Sequence, residues 1–360
     1  MLFSAQRGDA INVWNVGISA RGTMTTPPVP TTQGTGPDER PAATVTGDRL
    51  VVFSSLNLDY QLRRVPLLPT RSTSDVHPEP LLPQLSQIGS PSASADGKLL
   101  VYSARQPNGY RVMAVDTANA QQHPVTTVES SDWVRVVLSG DGKYIVYSEP
   151  DYTAYRMPMD PEGVAQQICS KCSIPTHVNV DGSAALFESA SADERLILWS
   201  RSTGVRPLIG SPDPKGRKQF AGRFSPNGKW VAFCARAEND AREIIVVPNA
   251  PERTLRPNEW VSISEGQTTD REPYWSPDGL RLFFISDRDG FHCIWYRNMD
   301  PETGQPTAPA IALAHFHNTG EQLAGPKGTS GSIGFTVTNK DLVFTVARST
   351  GNIWQQRPAR

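Results

Sequence analysis

The sequence predicts an all-β fold made of repeated four-stranded units, and three observations lead to this class. A motif that joins a tight turn to an apolar strand returns every ~40–60 residues, the period of four-stranded units rather than of helical repeats. The chain of 360 residues contains 31 prolines and 28 glycines, as expected where turns join many short strands. No segment shows the apolar periodicity of an amphipathic helix.

The clearest copy of the motif occupies residues 271–295. A short first strand ends in the turn Ser-Pro-Asp-Gly at 276–279. The proline fixes φ at the start of this turn, and Gly279 accepts the positive φ that other residues resist. Residues 280–286 and 291–295 predict two further strands, with a second turn between them.

Seven such units follow one another between residues 38 and 358. Five of them have a turn of the Asp-Gly or Asn-Gly type, whereas the first has Gly-Asp and the last has Asn-Lys, and an apolar strand follows each turn. The turn residues are Asp48, Asp96, Asp141, Asp181, Asn227, Asp278 and Asn339, and the strands are expected at 50–55, 99–103, 144–148, 185–189, 230–233, 280–286 and 341–346.

Four-stranded sheets of this kind bury their faces only against one another, so the units are expected to close into a ring. The predicted fold is a closed β-propeller of four-stranded antiparallel blades, with seven blades and with six or eight as alternatives. A single domain is expected over residues 1–360. Because the last unit ends after its third strand, residues 1–22 are expected to complete the last blade, which removes two exposed edges.

Composition excludes several classes of partner. With 35 Lys and Arg against 36 Asp and Glu, the net charge is −1, so no general attraction to nucleic acid or anionic lipid is expected. No run reaches the ~18 apolar residues of a membrane span. The expectation is a monomer that recognises a protein partner or a small polar ligand, with no cofactor, no nucleic acid and no membrane insertion.

The run Ser-Pro-Asp-Gly-Leu-Arg-Leu-Phe-Phe-Ile-Ser-Asp-Arg-Asp-Gly at 276–290 resembles the PD40, or TolB-like, class of WD40-related β-propeller repeats. Residues 225–233 and 94–102 match it well, and the resemblance extends over nearly the whole chain. More narrowly, four segments resemble the C-terminal propellers of acidobacterial-type proteins in which a kinase or a winged-helix regulator precedes the propeller. These segments are 2–6, the Cys169-x-x-Cys172 motif, 287–295 and 350–354.

The resemblance implies a propeller that acts as a sensor or scaffold, and it implies no particular ligand. The leading function is a non-catalytic module that binds a protein or a small polar ligand, and whether the chain is an enzyme stays open. The alternatives are a metal-dependent propeller enzyme of the lyase or lactonase type and an envelope assembly protein of the TolB sort. The G-x-S-x-G elbow of serine hydrolases is missing from the sequence. A sensor role favours an extracytoplasmic (periplasmic) location over the cytoplasm.

Candidate site residues lie around the starts of the predicted innermost strands, where they are expected to form one rim of the central channel. They would bind a polar or zwitterionic ligand or a partner's loop, or form exposed ion pairs between blades. The single tryptophan among them is typical of interface anchors. The single histidine is expected near the channel, either in a site or in a structural role. The candidates are Glu39, Arg40, Asp132, Trp133, Arg135, His177, Arg223, Asp270, Arg271 and Glu272.

Cysteine and histidine pairs supply two further candidates. Cys169 and Cys172 form one C-x-x-C with no second pair, so a local disulfide, free thiols, and metal or redox chemistry all stay open. An oxidising compartment would favour the disulfide. His315 and His317 place two imidazoles on one face if they lie on a strand, and the alternative is a solvent-facing loop.

Overall fold

The computed structural model describes residues 1–7, 10–32, 38–43, 50–67, 77–85, 88–106, 109–130, 134–189, 195–209, 215–237, 241–250, 255, 257–265, 268–317, 321–323 and 334–356. The chain divides into two compact units. Unit 1 contains residues 1–59 and 348–360, and unit 2 contains residues 60–347.

Unit 1 is a small antiparallel β-structure. Strands β1 (Leu2–Arg7), β2 (Ala10–Asn15) and β3 (Val29–Pro30) form a three-stranded sheet. Strand β4 (Asp38–Ala43) pairs with the beginning of β5 (Val51–Pro66). A small core forms from the buried side chains Val13, Val51 and Phe53, with Leu2 packed against them.

Unit 2 contains five complete four-stranded blades and a sixth blade made from both ends of the unit. Strand β6 (Glu79–Leu81) belongs to the sixth blade. Blade one is β7 (Gly89–Ala93), β8 (Leu99–Gln106), β9 (Gly109–Asp116) and β10 (Gln122–Val128). Blade two is β11 (Val136–Leu138), β12 (Tyr144–Ser148), β13 (Ala154–Pro158) and β14 (Gln166–Cys169).

The next three blades repeat the same antiparallel order. Blade three is β15 (Cys172–Val178), β16 (Ala184–Ser189), β17 (Leu196–Ser200) and β18 (Gly204–Pro207). Blade four is β19 (Lys218–Phe224), β20 (Trp230–Arg236), β21 (Arg242–Pro248) and β22 (Val261–Ser262). Blade five is β23 (Asp270–Trp275), β24 (Arg281–Ser286), β25 (Cys293–Asn298) and β26 (Ile311–Ala314).

Blade six closes the ring. After β27 (Glu321–Leu323), its inner strands are β28 (Phe335–Val337) and the start of β29 (Asp341–Gln356), which pair from Phe335↔Phe344 to Val337↔Leu342. Its outer strands are the end of β5 and β6, which pair at Leu62↔Leu81. The innermost strands contact one another in the cyclic order β7, β11, β15, β19, β23, β28 and back to β7. The backbone N–H of Asn339 donates to the carbonyl of Ala95 across the junction that closes the ring.

The described part of unit 2 therefore contains six blades, which is one of the two alternatives and not the expected seven. Ring closure does come from residues on the N-terminal side, but they are 60–66 and 79–81 rather than 1–22. The strand expected at 50–55 is the beginning of one longer strand, β5, which continues to Pro66. The following sequence Leu-Asn-Leu-Asp-Tyr alternates apolar and polar residues without glycine or proline, so nothing interrupts the strand there. Strands β1, β2 and β3 pair with each other in a separate sheet, and β4 pairs with β5.

Five of the turns that follow the innermost strands share one geometry. In blade five, the Ser276 hydroxyl and the backbone N–H of Leu280 both donate to Oδ1 of Asp278, and Gly279 has φ of 71°. The equivalent glycines of blades one to four have φ between 69° and 73°. The positive φ predicted at Gly279 is confirmed. These turns fix where each innermost strand ends, and they place the preceding residues on the channel.

The apolar core lies between blades. Phe187, Phe233, Phe283 and Phe344 are fully buried in blades three, four, five and six. Among the described residues, the only helical element is a 3-10 turn at Pro257–Glu259, and none of them forms a helix long and apolar enough to cross a membrane.

Candidate functional site

One side chain from each of the six innermost strands lines a narrow cavity at the centre of unit 2. Each lies two residues before the first residue of the following turn, so the repeated turns place them at equivalent positions. The cavity has a volume of about 20 Å³, which is room for about one water molecule. We call these six residues the channel ring: Ser92, Val137, His177, Arg223, Tyr274 and Thr336.

Part of the channel ring joins neighbouring blades by hydrogen bonds. Ser92 Oγ accepts the backbone N–H of Leu138 at 2.9 Å, and Thr336 Oγ1 accepts that of Ala93 at 3.2 Å. In the same way, His177 Nδ1 accepts the backbone N–H of Phe224 at 3.2 Å. In all three cases a side chain of one blade satisfies the backbone donor just after the channel-ring position of its neighbour. These residues therefore have a structural role as well as lining the cavity.

His177 is held as the neutral imidazole. Its Nδ1 accepts a hydrogen bond, so in this arrangement the ring proton is on Nε2. Burial, followed by the positive charge of Arg223, lowers the pKa of His177 to about 3. The imidazole and the ring of Tyr274 are nearly perpendicular, with the centroids 5.6 Å apart. At neutral pH this histidine is a hydrogen-bond acceptor and an aromatic wall, and it adds no charge to the channel.

Two arginine–glutamate pairs lie around the cavity. Arg223 Nη2 is 3.7 Å from Glu272 Oε2, and these side chains are only 7% and 9% exposed. Arg135 Nη1 is 4.0 Å from Glu188 Oε1, and these side chains are 8% and 14% exposed. Burial raises the pKa of Glu188, against the opposing effect of Arg135. Both arginines line the cavity, whereas neither glutamate is among the described lining residues, so the cationic partners face the opening.

Both arginines keep donors that no described residue satisfies. Arg223 Nη1 donates to the carbonyls of Thr176 and Gly222, at 2.6 and 3.0 Å, but its Nε has no hydrogen-bond partner. Nη1 of Arg135 also lacks one, because 4.0 Å from Glu188 is too long for a hydrogen bond. Buried polar groups are rarely left unsatisfied in proteins. Water or a ligand that carries an acceptor group would satisfy both donors.

Local backbone geometry presents these side chains to the channel. In β19 and β23 the register shifts just before Arg223 and Tyr274, which marks a β-bulge in each strand. The bulges contain Ala221 and Glu272, whose φ values are 51° and 53°. Non-glycine residues seldom adopt this conformation, and it is concentrated at functional sites.

A wider funnel opens beside the cavity, on the side of the repeated turns. Its volume is about 390 Å³, within the usual range for ligand sites. Its wall combines apolar residues such as Leu138, Phe224 and Trp275 with polar residues such as Asn179 and Asn227. His177 and Tyr274 line both the funnel and the cavity, so the two spaces adjoin at these two rings.

The structure brings together only some of the residues expected at the rim. Arg135, His177 and Arg223 line the cavity, and Glu272 is the partner of Arg223. Asp270 is fully buried and pairs with Arg288 at 3.3 Å, and burial lowers the pKa of Arg271. Asp270 and Glu272 are therefore buried beside arginine partners rather than exposed at a rim, and Arg271 is partly buried. Glu39 and Arg40 lie in β4 of unit 1 and so are not part of the channel ring, and Asp132 and Trp133 lie outside the described residues.

Sequence reasoning missed the funnel residues other than His177 and four members of the channel ring, Ser92, Val137, Tyr274 and Thr336. These four residues share one position, two residues before the turn of their blade. That spacing is visible in the sequence, but the residue type at the position differs from blade to blade. Cys169 and Cys172 form a disulfide at the junction of blades two and three, with their Cα atoms 5.8 Å apart. Cys234 and Cys293 are free and buried.

Comparison with known proteins identifies the fold. No protein-family model and no curated protein matches the sequence. Among solved structures, a putative TolB from Agrobacterium tumefaciens superposes with a TM-score of 0.56 at 17% identity, over 82% of this chain and 99% of that one. TolB from Acinetobacter baumannii superposes with a TM-score of 0.49 at 11% identity, over 97% of this chain and 81% of that one. The propeller domain of Cps50 (Swd1) from Myceliophteria thermophila superposes with a TM-score of 0.44 at 13% identity, over 84% of this chain and 90% of that one.

The class of protein follows from the ring and from the first of these comparisons. The chain has a TolB-like β-propeller fold, built from four-stranded antiparallel blades. The expectation of a PD40, TolB-like propeller is confirmed. At 17% identity the likeness concerns the fold alone, and the function must be argued from the channel.

Proposed function

We propose that this chain is a non-catalytic binding module whose funnel and channel receive the acceptor group of a polar or zwitterionic ligand. A free small molecule or a loop of a protein partner can supply that group. The observation that carries the proposal is the pair of buried arginines, Arg135 and Arg223, which face the cavity with unsatisfied donors. The funnel adjoins this cavity at His177 and Tyr274, which line both.

Charge and shape both support this kind of ligand. Arg223 is held by two backbone carbonyls, and each arginine lies beside a glutamate, so a carboxylate or amide oxygen would find cationic donors already in place. The apolar part of the funnel wall would bury carbon atoms of the same ligand. A metal-dependent enzyme has less support, because the described lining of the cavity contains one histidine, already accepting a backbone hydrogen bond, and no carboxylate.

A photo-crosslinking experiment tests the protein-partner form of the proposal. A photoreactive amino acid replaces Val180, which lines the funnel and is 52% exposed. The matched control replaces Val205, which is 48% exposed on the outermost strand of the same blade. A partner should be captured from cell extract by the probe at 180 and not by the probe at 205. Equal capture at both positions would contradict recognition at the funnel, and an envelope complex captured at 180 would favour the assembly alternative.

The small-ligand form is tested by thermal unfolding with succinate, glutarate and free amino acids as probes. A compound that binds should raise the melting temperature, because binding to the folded state alone stabilises it. Arg135→Gln should abolish that shift, while Arg111→Gln, at an exposed position on β9, should retain it. No shift with any compound, together with no crosslink from position 180, would refute the proposed site.

We further propose that the protein acts in an oxidising, extracytoplasmic compartment. The bonded pair Cys169–Cys172 supports this location, because disulfides persist mainly in such compartments. Mass spectrometry of protein alkylated without reduction, after expression in the periplasm, should show no modification at either cysteine. Alkylation at both would contradict the proposal.

A further inference from the structure

A second group of polar side chains lies in blade five, outside the channel lining. The donor atoms of Asp289, Cys293, His315 and His317 all lie within 4.8 Å of one another. Cys293 is fully buried, Asp289 and His317 are partly buried, and His315 is exposed. None of these residues belongs to the cavity or to the funnel.

Strand pairing brings these four residues together. Asp289 lies in the turn between β24 and β25, and Cys293 is the first residue of β25. Strand β26 pairs with β25 at Ile294↔Ala314, so the residues just after β26 lie beside the start of β25. Phe316, between the two histidines, is buried against Phe344, with ring centroids 5.6 Å apart. Because alternate residues of an extended segment point to opposite sides, this anchor turns both imidazoles toward Asp289 and Cys293.

The two imidazoles converge on one carboxylate oxygen. His315 Nδ1 is 3.0 Å from Asp289 Oδ2, and His317 Nε2 is 3.1 Å from the same atom. Despite that distance, His317 Nε2 is buried without a hydrogen bond to any described residue, because the geometry is unsuitable for one. His317 Nε2 thus lies close to Asp289 Oδ2 without a hydrogen bond to it. This is the arrangement expected when both atoms are directed at one metal ion rather than at each other.

We propose that Asp289, Cys293, His315 and His317 form a binding site for one Zn²⁺ ion. Cysteine sulfur, imidazole nitrogen and carboxylate oxygen are the ligands that zinc takes in proteins, usually four in a tetrahedron. Bond lengths of about 2.0–2.3 Å imply donor–donor separations of roughly 3.3–3.6 Å in that geometry. The observed separations of 3.0, 3.1 and at most 4.8 Å need only small side-chain rotations to reach it. Calcium and magnesium are poor candidates because they prefer oxygen ligands.

The surroundings suit a closed structural site. Phe291 lies over His317 with centroids 4.2 Å apart, and Trp295 meets the ring of His315 edge to face at 5.9 Å. The backbone N–H of Phe316 hydrogen-bonds the sulfur of Cys293. Such outer contacts orient metal ligands. With four protein ligands, the ion would tie the β24–β25 turn to the end of β26 and so fasten the outer edge of blade five.

Zinc content and cobalt spectroscopy test this proposal on the full chain. After incubation with excess Zn²⁺ and desalting, the protein should retain one equivalent of zinc. Loading with Co²⁺ should produce the visible bands of a tetrahedral site and a sulfur-to-cobalt charge-transfer band in the near ultraviolet. Cys293→Ser should remove the charge-transfer band, and His315→Ala and His317→Ala should each weaken zinc binding about tenfold or more.

Matched controls separate this site from others in the chain. Cys234→Ser changes the other free buried cysteine, and His123→Ala changes an exposed histidine on β10, so both should retain one equivalent. The double variant Cys169→Ser/Cys172→Ser should also retain it, which excludes metal held by the C-x-x-C pair. Circular dichroism checks the folding of each variant, and His317→Gln takes the place of His317→Ala if that variant fails to fold.

Absence of retained zinc, or zinc content unchanged in the His315 and His317 variants, would overturn the proposal and leave a hydrogen-bonded cluster around Asp289. The outcome is independent of the funnel experiments, because the two sites share no residue.

Discussion

In each blade of unit 2, the channel-ring residue and the first residue of the following turn are only two positions apart. The residue type is repeated much more strictly at the turn position than at the channel-ring position. The first residue of the turn is Ser, Ser, Asn, Ser, Ser and Thr around the six blades. In five of the six blades the turn has an Asp or Asn that accepts hydrogen bonds and a glycine at positive φ. The channel ring, two residues earlier, has Ser, Val, His, Arg, Tyr and Thr.

The difference teaches which positions make the fold and which can make a site. The turn ends the innermost strand in the same way in every blade, so it needs the same residue types each time. The six channel-ring side chains surround one cavity. If the same residue type were repeated at all six positions, like charges would lie close together or the cavity would be left unfilled. Variation among otherwise equivalent positions is therefore where recognition can be built. Four predictions test this contrast between turn and channel.

The largest effect is expected at Arg223. Arg223→Met should lower the free energy of unfolding by about 3–5 kcal/mol, because it leaves the carboxylate of Glu272 buried without its partner. Urea denaturation measures this loss. The double variant Arg223→Met/Glu272→Met should recover most of it, since replacing both charges removes the unpaired group. A single-variant loss no larger than that of Arg111→Met, at an exposed position, would show that the pair is well solvated.

The next effect concerns the turn of blade five. Gly279→Val should cost about 1–3 kcal/mol, because a β-branched residue is strained at a φ of 71°. A Cβ at this position would meet only ordinary contacts, 3.9 Å from Pro301 and 4.0 Å from Pro226, so the cost comes from the backbone. Gly279→Asn should cost clearly less in the same denaturation experiment, because asparagine tolerates this region. Equal losses for valine and asparagine would point to crowding instead.

A pH-dependent effect is expected from His177. Its pKa is about 3 in the folded protein and near 6.5 in the unfolded chain, so only the unfolded chain gains this proton as the pH falls from 6.5 toward 3. Stability should therefore decrease over that window, by up to about 1.4 kcal/mol per pH unit from this residue. His177→Gln should flatten the dependence, whereas His123→Gln should not. Identical pH profiles for His177→Gln and the parent would contradict a neutral, buried imidazole.

The smallest effect is expected at Asp278. Asp278→Ala should cost about 1 kcal/mol, because Oδ1 accepts hydrogen bonds from Ser276 and from the backbone N–H of Leu280. Asp278→Asn should be nearly neutral, since Asn227 accepts the equivalent bonds in blade four at 2.7 and 3.0 Å. Thermal unfolding compares the two variants. A large loss with asparagine would show that the charge, and not the acceptor, matters.

The sequence by itself determined the all-β class, the turns and the strands that follow them. These features depend on residues within a few positions of one another. The serine, the aspartate and the glycine that form the turn at 276–279 lie within four residues of one another. The geometry of this turn can therefore be predicted from the local sequence. The PD40-like resemblance rests on the same local pattern, which is why the propeller could be predicted from it.

Only the tertiary structure decided the blade count, the burial of the charges and the metal-ligand cluster. Closing the ring pairs the end of β5 with β29, more than two hundred residues away, and no local pattern specifies that choice. Arg223 and Glu272 appeared as exposed rim charges because sequence shows residue type but not depth. Asp289 and His315 are 26 positions apart and meet only because β26 pairs with β25. Local chemistry determines how a strand ends, whereas long-range strand pairing decides which side chains share one small volume.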